Sequence, residues 1–346
     1  MNFEERKLRV SAFRINGGWS LDDQAGALKL MRNRRALKLD ELPLDPEAVD
    51  VGWAGGRVEL DVELKEENCT VGEELYLSMR ISRRTIPVGV AKAMLRKEMA
   101  DFLRENNAEF VPAKVRRELR EEVQNQLLCH AVPTLKRVWV VIRPGGVVYA
   151  GTAGDTERDQ LMCLFHKTFN RELVALNVHS LAEDENVELD CECPAFEFMT
   201  DLFRRSEQDQ TADFDVIPPF DLVAVEMDKL CTRALAAGNC AAHSREVRAA
   251  LDEGKLLKKA HLVVTGSSLD GYTERDCWKF VLNPNFSMSG LELPEPEEME
   301  FAARFVERLE MIEAVFGWLR RQFADFRRRV TAPGYADAKK EWLENR

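Results

Sequence analysis

The chain has 346 residues, 45% of them hydrophobic, with 49 Lys and Arg against 60 Asp and Glu for a net charge of −11. That length allows two or three structural units or one elaborated domain, and no segment approaches the roughly 18 uninterrupted apolar residues that would span a bilayer. The charged opening MNFEERKLRV lacks the apolar core of a signal peptide, so a cytoplasmic protein with no membrane partner is expected.

The acidity is local. Residues 183–228 hold 15 acidic against 2 basic residues, whereas 86–138 hold 10 basic against 7 acidic. Eight cysteines are scattered without a C-x-x-C, and the five histidines make no metal-ligand spacing. Reduced, mostly buried thiols are therefore expected, with no metal and no cofactor.

In chain order, RKLRVSAFRI (6–15) predicts a strand, Gly17-Gly18 a turn, and SLDDQAGALKLMRNRR a helix with Ser20 as its N-cap. Residues 57–82 alternate in two runs around a polar turn and predict antiparallel strands. From Val88 to Glu105 the apolar residues follow a 3.6 period, and PAKVRRELREEVQNQLL (112–128) carries a second, narrow stripe of Val115, Leu119, Val123 and Leu127. Two such helices joined by NNAEFVP predict a helical hairpin that projects from the body.

RVWVVIRPGGVVYAGT then predicts a strand hairpin turning at Arg-Pro-Gly-Gly, followed by a helix with Leu161, Leu164, Phe165 and Phe169 on one side. The acidic, proline-containing stretch 183–228 is read as including a partly flexible boundary. A short helix (HSREVRAALDEG) begins at Ser244, a strand pair follows, and a long amphipathic helix over about 297–329 puts Phe323 and Phe326 toward the core or a partner. The fold class expected is α+β, with antiparallel sheets, packed helices and a projecting helical hairpin. Residues 1–85 with 133–180 would make a central region, 86–132 the tip, and 181–346 a C-terminal α+β region.

No P-loop, G-x-S-x-G or ordered Ser/His/Asp arrangement is present, and no catalytic residue is assigned. Glu188, Asp190 and Glu192 alternate onto one strand face, the kind of oxygen cluster a metal-dependent nuclease would need, although such a trio also suits a solvated face. The stronger functional signal is cationic. Lys114, Arg117 and Arg120 project from the second hairpin helix, while Arg83, Arg84, Lys136 and Arg137 lie at the hairpin's two ends in sequence. Phosphate contacts need Lys and Arg rather than a catalytic order. The competing reading pairs these cations with acids four residues on, as with Arg117 and Glu121. A third reading makes the acidic 183–228 segment a surface for a basic protein partner.

The order of features resembles the recombination-associated protein RdgC family over roughly residues 6–282. The segments that carry the resemblance are VGWAGG, RRTIPVGVAKAMLRKEM, LREEVQNQLLCHAVPTLKRVWVVIRPGGVVYAGTA and REVRAALDEGKLLKKAHLVV. The resemblance implies a ring-forming homodimer with a positively charged hole. It also implies binding of double-stranded DNA with little sequence preference, restraint of RecA-promoted strand exchange, and hence RecA-pathway partners. The hairpin would then be a tip that helps close the ring.

Two departures stand out. Cys129, His130, Ala131 and Val132 replace a Pro-Arg-Ala-Phe of many members, which puts His130 at a DNA-contact position and Val132 at a dimer contact. Asn239 and Cys240 replace a Lys-Gln pair at the other dimer contact. The family's exonuclease label finds no specific site among these motifs.

Overall fold

The computed structural model describes residues 3–345 apart from 153, 184–192, 210–211, 227–228, 237–244 and 298–299. The chain opens with β1 (Lys7–Ile15), turns through Gly17 and Gly18, both at positive φ, and enters α1 (Leu21–Arg32). Ser20 caps α1 as predicted. Its hydroxyl accepts from Asp23 N at 3.1 Å, and the Asp23 carboxylate accepts from Ser20 N at 2.9 Å, a reciprocal capping box.

Next come β2 (Asp50–Gly55), α2 (Glu66–Cys69), β3 (Thr70–Val71) and β4 (Glu74–Arg84). Here one expectation fails, because the alternating run RVELDVEL does not form a strand. The Asp61 carboxylate accepts from the backbone N–H groups of Glu63, Leu64 and Lys65 at 3.0–3.2 Å, and these local bonds replace a ladder. The long partner of β4 on that side is instead β2, paired antiparallel from Asp50–Ser82 to Gly55–Leu77.

The predicted helical hairpin is α3 (Val88–Glu105) and α4 (Ala113–His130). It is followed by β5 (Pro133–Ile142), β6 (Val147–Ala150), α5 (Asp155–Phe169), β7 (Leu173–Ala175) and α6 (Val178–Glu183). The second half comprises α7 (Pro194–Gln208), β8 (Phe214–Glu226), β9 (Lys229–Ala236), α8 (Arg245–Asp252) and β10 (Leu256–Thr265). β11 (Cys277–Leu282), β12 (Met288–Glu292), α9 (Phe301–Val330) and α10 (Tyr335–Asn345) complete the chain.

The protein is α+β, built on one large antiparallel sheet in the order β2-β4-β5-β6-β1-β12-β11-β10-β8-β9, with β3 on β4 and β7 on β1. β1 is the joint. Residues 7–10 pair with β12, whereas 11–15 pair with β6 and β7.

Strand periodicity divides the core. Tyr76, Trp139 and Val141 enter one cluster, capped by Phe305, Phe316 and other buried residues of α9. Their neighbours Leu75, Leu77, Val138, Val140 and Ile142 enter the other, with Leu161 and Phe165 of α5 and Met31 of α1. Being covered on both faces, β5 reads as the unbroken apolar run VWVVI rather than as an alternation.

Within the acidic stretch 183–228, α7 and β8 are packed elements of the fold. α7 puts Phe198, Met199, Leu202 and Phe203 at full burial, and β8 joins the sheet. Two of its acids gain partners from far along the chain. The buried Asp201 carboxylate accepts from Arg204 and Arg329 at 2.7 Å each, and Glu197 accepts from Lys339 at 2.8 Å. The cationic end of α9 thus belongs to the fold, with Phe323 and Phe326 buried as expected.

The thiols also depart from expectation. Cys69 is buried, and burial pushes its thiol up to about 12, but Cys129 and Cys163 are exposed. Among the described residues no helix is long and apolar enough to cross a membrane.

Candidate nucleic-acid interface

β4 and β5 pair along their whole length, with Arg83 opposite Thr134 and Arg84 opposite Pro133. The hairpin is therefore an excursion between two strands that remain adjacent. Pro87, extended at φ −61° and ψ 120°, ends the strand path and starts α3. α3 has no fully buried residue, and α4 has only Val123 and Leu128. Neither core cluster contains a hairpin residue, so the two helices hold chiefly to each other and to the strand ends.

At this root lies an open cleft of about 490 Å³ between the end of β4 and the facing sides of α3 and α4. Arg83, Arg84, Lys92 and Arg120 line it, and no carboxylate does. Arg83, Lys92 and Arg120 are exposed, and none has an ion pair or side-chain hydrogen bond among the described residues. Arg84 frames the cleft: its Nη1 donates to the Ala131 carbonyl at 2.8 Å and its Nη2 to the Leu39 carbonyl at 3.3 Å.

The remaining sequence candidates divide on physical grounds. Lys114 and Arg117 lie on the solvent side of α4, facing Glu118 at 4.0 Å and Glu121 at 3.0 Å. These exposed i,i+4 pairs contribute a few tenths of a kcal/mol to the helix and offset its positive charge. Lys136 points to solvent beside Arg83 in a second open cleft, but there it pairs with the carboxylate of Glu157 near the start of α5.

Arg137 does not belong to this surface. Side chains alternate along β5, so the residue after Lys136 turns inward. Its Nη1 donates to Glu59 Oε1 at 2.9 Å, its Nη2 donates to the Tyr76 hydroxyl at 3.2 Å and also to the Gly56 carbonyl, and only 9% of the residue is exposed. Lys136-Arg137 looks like one basic patch in sequence, and strand geometry splits it.

His130 is exposed at the last residue of α4, and Val132 just beyond is 81% exposed, as is Phe110 at 72% in the loop joining the two helices. Asn239 and Cys240 lie outside the described residues, as do Glu188, Asp190 and Glu192. Among the described residues no group of three or more His, Cys, Asp or Glu side chains is placed to hold a metal ion.

Lys92 is the cleft residue that the sequence reading missed. α3 was legible as an apolar stripe, and Lys92 follows Ala91 of that stripe by one position, which carries it to the edge facing α4. Placing a cation on that edge requires knowing that the two helices fold back on each other.

Residues 43–189 match the family model described as "Putative exonuclease, RdgC". The matched span contains every cleft residue, both hairpin helices and the strands that anchor them. The second half of the sheet and α9 fall outside it. No curated protein matches the chain.

Proposed function

We propose that this protein binds double-stranded DNA with little sequence preference and acts in recombination as a ring-shaped dimer, a reading supported by the match of residues 43–189 to the RdgC family model. In that role it restrains RecA-type strand exchange by occupying the duplex. The observation that carries the reading is the set of cations Arg83, Lys92 and Arg120, unpaired among the described residues and gathered without a carboxylate at the hairpin root inside the matched segment.

Each cation that settles on a phosphate releases condensed counterions, which supplies affinity without base readout. The acidic remainder of the molecule would stay turned away from the duplex. Closure of two copies around the DNA would supply persistence, with the hairpin end near Val132 and the segment at Asn239 and Cys240 as the contact regions. The shift from aromatic to valine at Val132 predicts a weaker closure than a Phe would give, since less apolar area is available there. On this reading the protein resides on the nucleoid, in the cytoplasm.

The test is fluorescence anisotropy of a labelled duplex of about 30 base pairs across a salt series, with and without magnesium. Steep weakening with salt, with the DNA left intact, is expected. Alanine at Arg83, Lys92 and Arg120 should lower the slope of log affinity against log salt by about 0.9 for each phosphate that these cations neutralise. Absence of binding at low salt would overturn the reading. Magnesium-dependent shortening of the DNA that disappears when Glu188, Asp190 and Glu192 are replaced by alanine would instead favour the exonuclease of the family description.

A further inference from the structure

We infer that the hairpin-root cleft is a site for a phosphorylated nucleoside, and not only a stretch of phosphate-contacting surface. Two properties of its lining separate these possibilities. A duplex backbone asks for a row of cations and gains nothing from an apolar floor. Here the cations stand around an apolar floor of Ile86, Ala91, Leu95 and Val123, with Val88 exposed at its edge. Such a floor suits a sugar or base edge, and the volume of about 490 Å³ falls within the range of small-ligand pockets.

The cations also converge. Arg83 comes from the strand, Lys92 from α3 and Arg120 from α4, so three elements bring positive charge to one cleft whose lining holds no acid. Their mutual repulsion is relieved by a multiply charged anion, which can bridge them. Arg84 Nε, buried without an acceptor among the described residues, adds a donor at the same wall. Gln124 and Thr85 supply neutral hydrogen-bonding groups at the rim. No aromatic residue lines the cleft, so the base is held by apolar contact and by the flat face of an arginine, with little discrimination among bases.

The ligand is either a free nucleotide or the phosphorylated end of a DNA strand, which present the same chemistry. The inference stands on the cleft's lining and is separable from duplex binding. The experiment is equilibrium dialysis of the full chain with labelled ATP in EDTA, at low salt. Lys92→Ala and Arg120→Ala should each weaken ATP binding by about tenfold or more, whereas Arg117→Ala, which touches Glu121 outside the cleft, should leave it within about twofold. Tripolyphosphate should compete at least about tenfold less well than ATP, because it cannot use the apolar floor.

Competition by a short single strand with a 5′-phosphate, but not by its hydroxyl-ended counterpart, would identify strand ends as the source. Competition by free nucleotides alone would identify a soluble ligand. Equal competition by tripolyphosphate and ATP, or no binding of either ATP or phosphorylated ends, would overturn the inference. A duplex affinity that survives such a failure would leave the DNA-binding reading in place.

Discussion

Arg84 and Ala131, 47 residues apart, are joined by a 2.8 Å hydrogen bond from the guanidinium to the carbonyl oxygen. This bond closes the neck of the hairpin, since Arg84 is the last residue of β4 and Ala131 is the C-cap of α4. The hairpin adds nothing to either core cluster, so its attachment depends on this neck more than on burial. Replacing Arg84 by alanine should cost about 1–3 kcal/mol, felt locally. Hydrogen exchange would read it as faster exchange across α3 and α4, with the sheet protected as before. Uniform loss of protection throughout the molecule would contradict the picture of an independently opening hairpin.

A second prediction separates Arg137 from the cationic surface. Arg137→Met removes the hydrogen bonds to Glu59, Tyr76 and the Gly56 carbonyl while keeping an apolar stem in the sheet face. Stability should fall by about 2 kcal/mol in urea unfolding, and the salt slope of duplex binding should not change. Arg83→Ala should do the reverse. If Arg137→Met lowered the slope as Arg83→Ala does, the buried placement would have to be reconsidered.

Gly151 offers a test of packing behind the site. A Cβ at this position would lie 2.3 Å from Trp139 Nε1, and Trp139 is fully buried between Phe3 and the sheet. Neither the ring nor the strand can retreat without disturbing β5, the strand that carries Lys136 and Arg137. Gly151→Ala should therefore destabilise the protein by about 1–3 kcal/mol, measured as a lower denaturation midpoint with an unchanged m-value. A neutral substitution would mean that the indole has more room than the geometry allows.

His261, half-buried in β10, gives a pH dependence. Burial, aided by Lys259 and opposed by Asp221, lowers its pKa below the usual 6.5. The folded state thus prefers the neutral ring, and the unfolded chain binds more protons. The stability tied to this group is complete above about 6.5 and is lost as pH falls through the lowered folded value. Urea midpoints across that acidic window should decline less in His261→Gln than in the parent protein. Identical declines in the two would show that other groups govern acid stability.

Much of the local structure was legible in the sequence because helix and strand periods are written in consecutive residues. The 3.6 spacing at 88–105 and 113–128, the Ser20 cap, the Arg-Pro-Gly-Gly turn and the stripe of α9 each report the local backbone geometry adopted there. The RdgC resemblance rested on the order of such segments over roughly 6–282, and the family match over 43–189 covers the hairpin and its strands but not REVRAALDEGKLLKKAHLVV. Where a polar side chain could satisfy the backbone locally, as Asp61 does, the alternation of RVELDVEL misled.

Charge was another matter, because the meaning of a charged residue depends on what reaches it from elsewhere. Composition marked 183–228 as acidic, but only the fold brings Arg329 and Lys339 to Asp201 and Glu197 and packs α7 of that stretch into the core. The sequence placed Lys114, Arg117 and Arg120 on one helix. Tertiary structure left the first two with their acids and turned Arg120 toward Arg83 and Lys92. Backbone periodicity is a local property and survives in the sequence, whereas the field at a cleft is a sum over distant groups and exists only once the chain has folded.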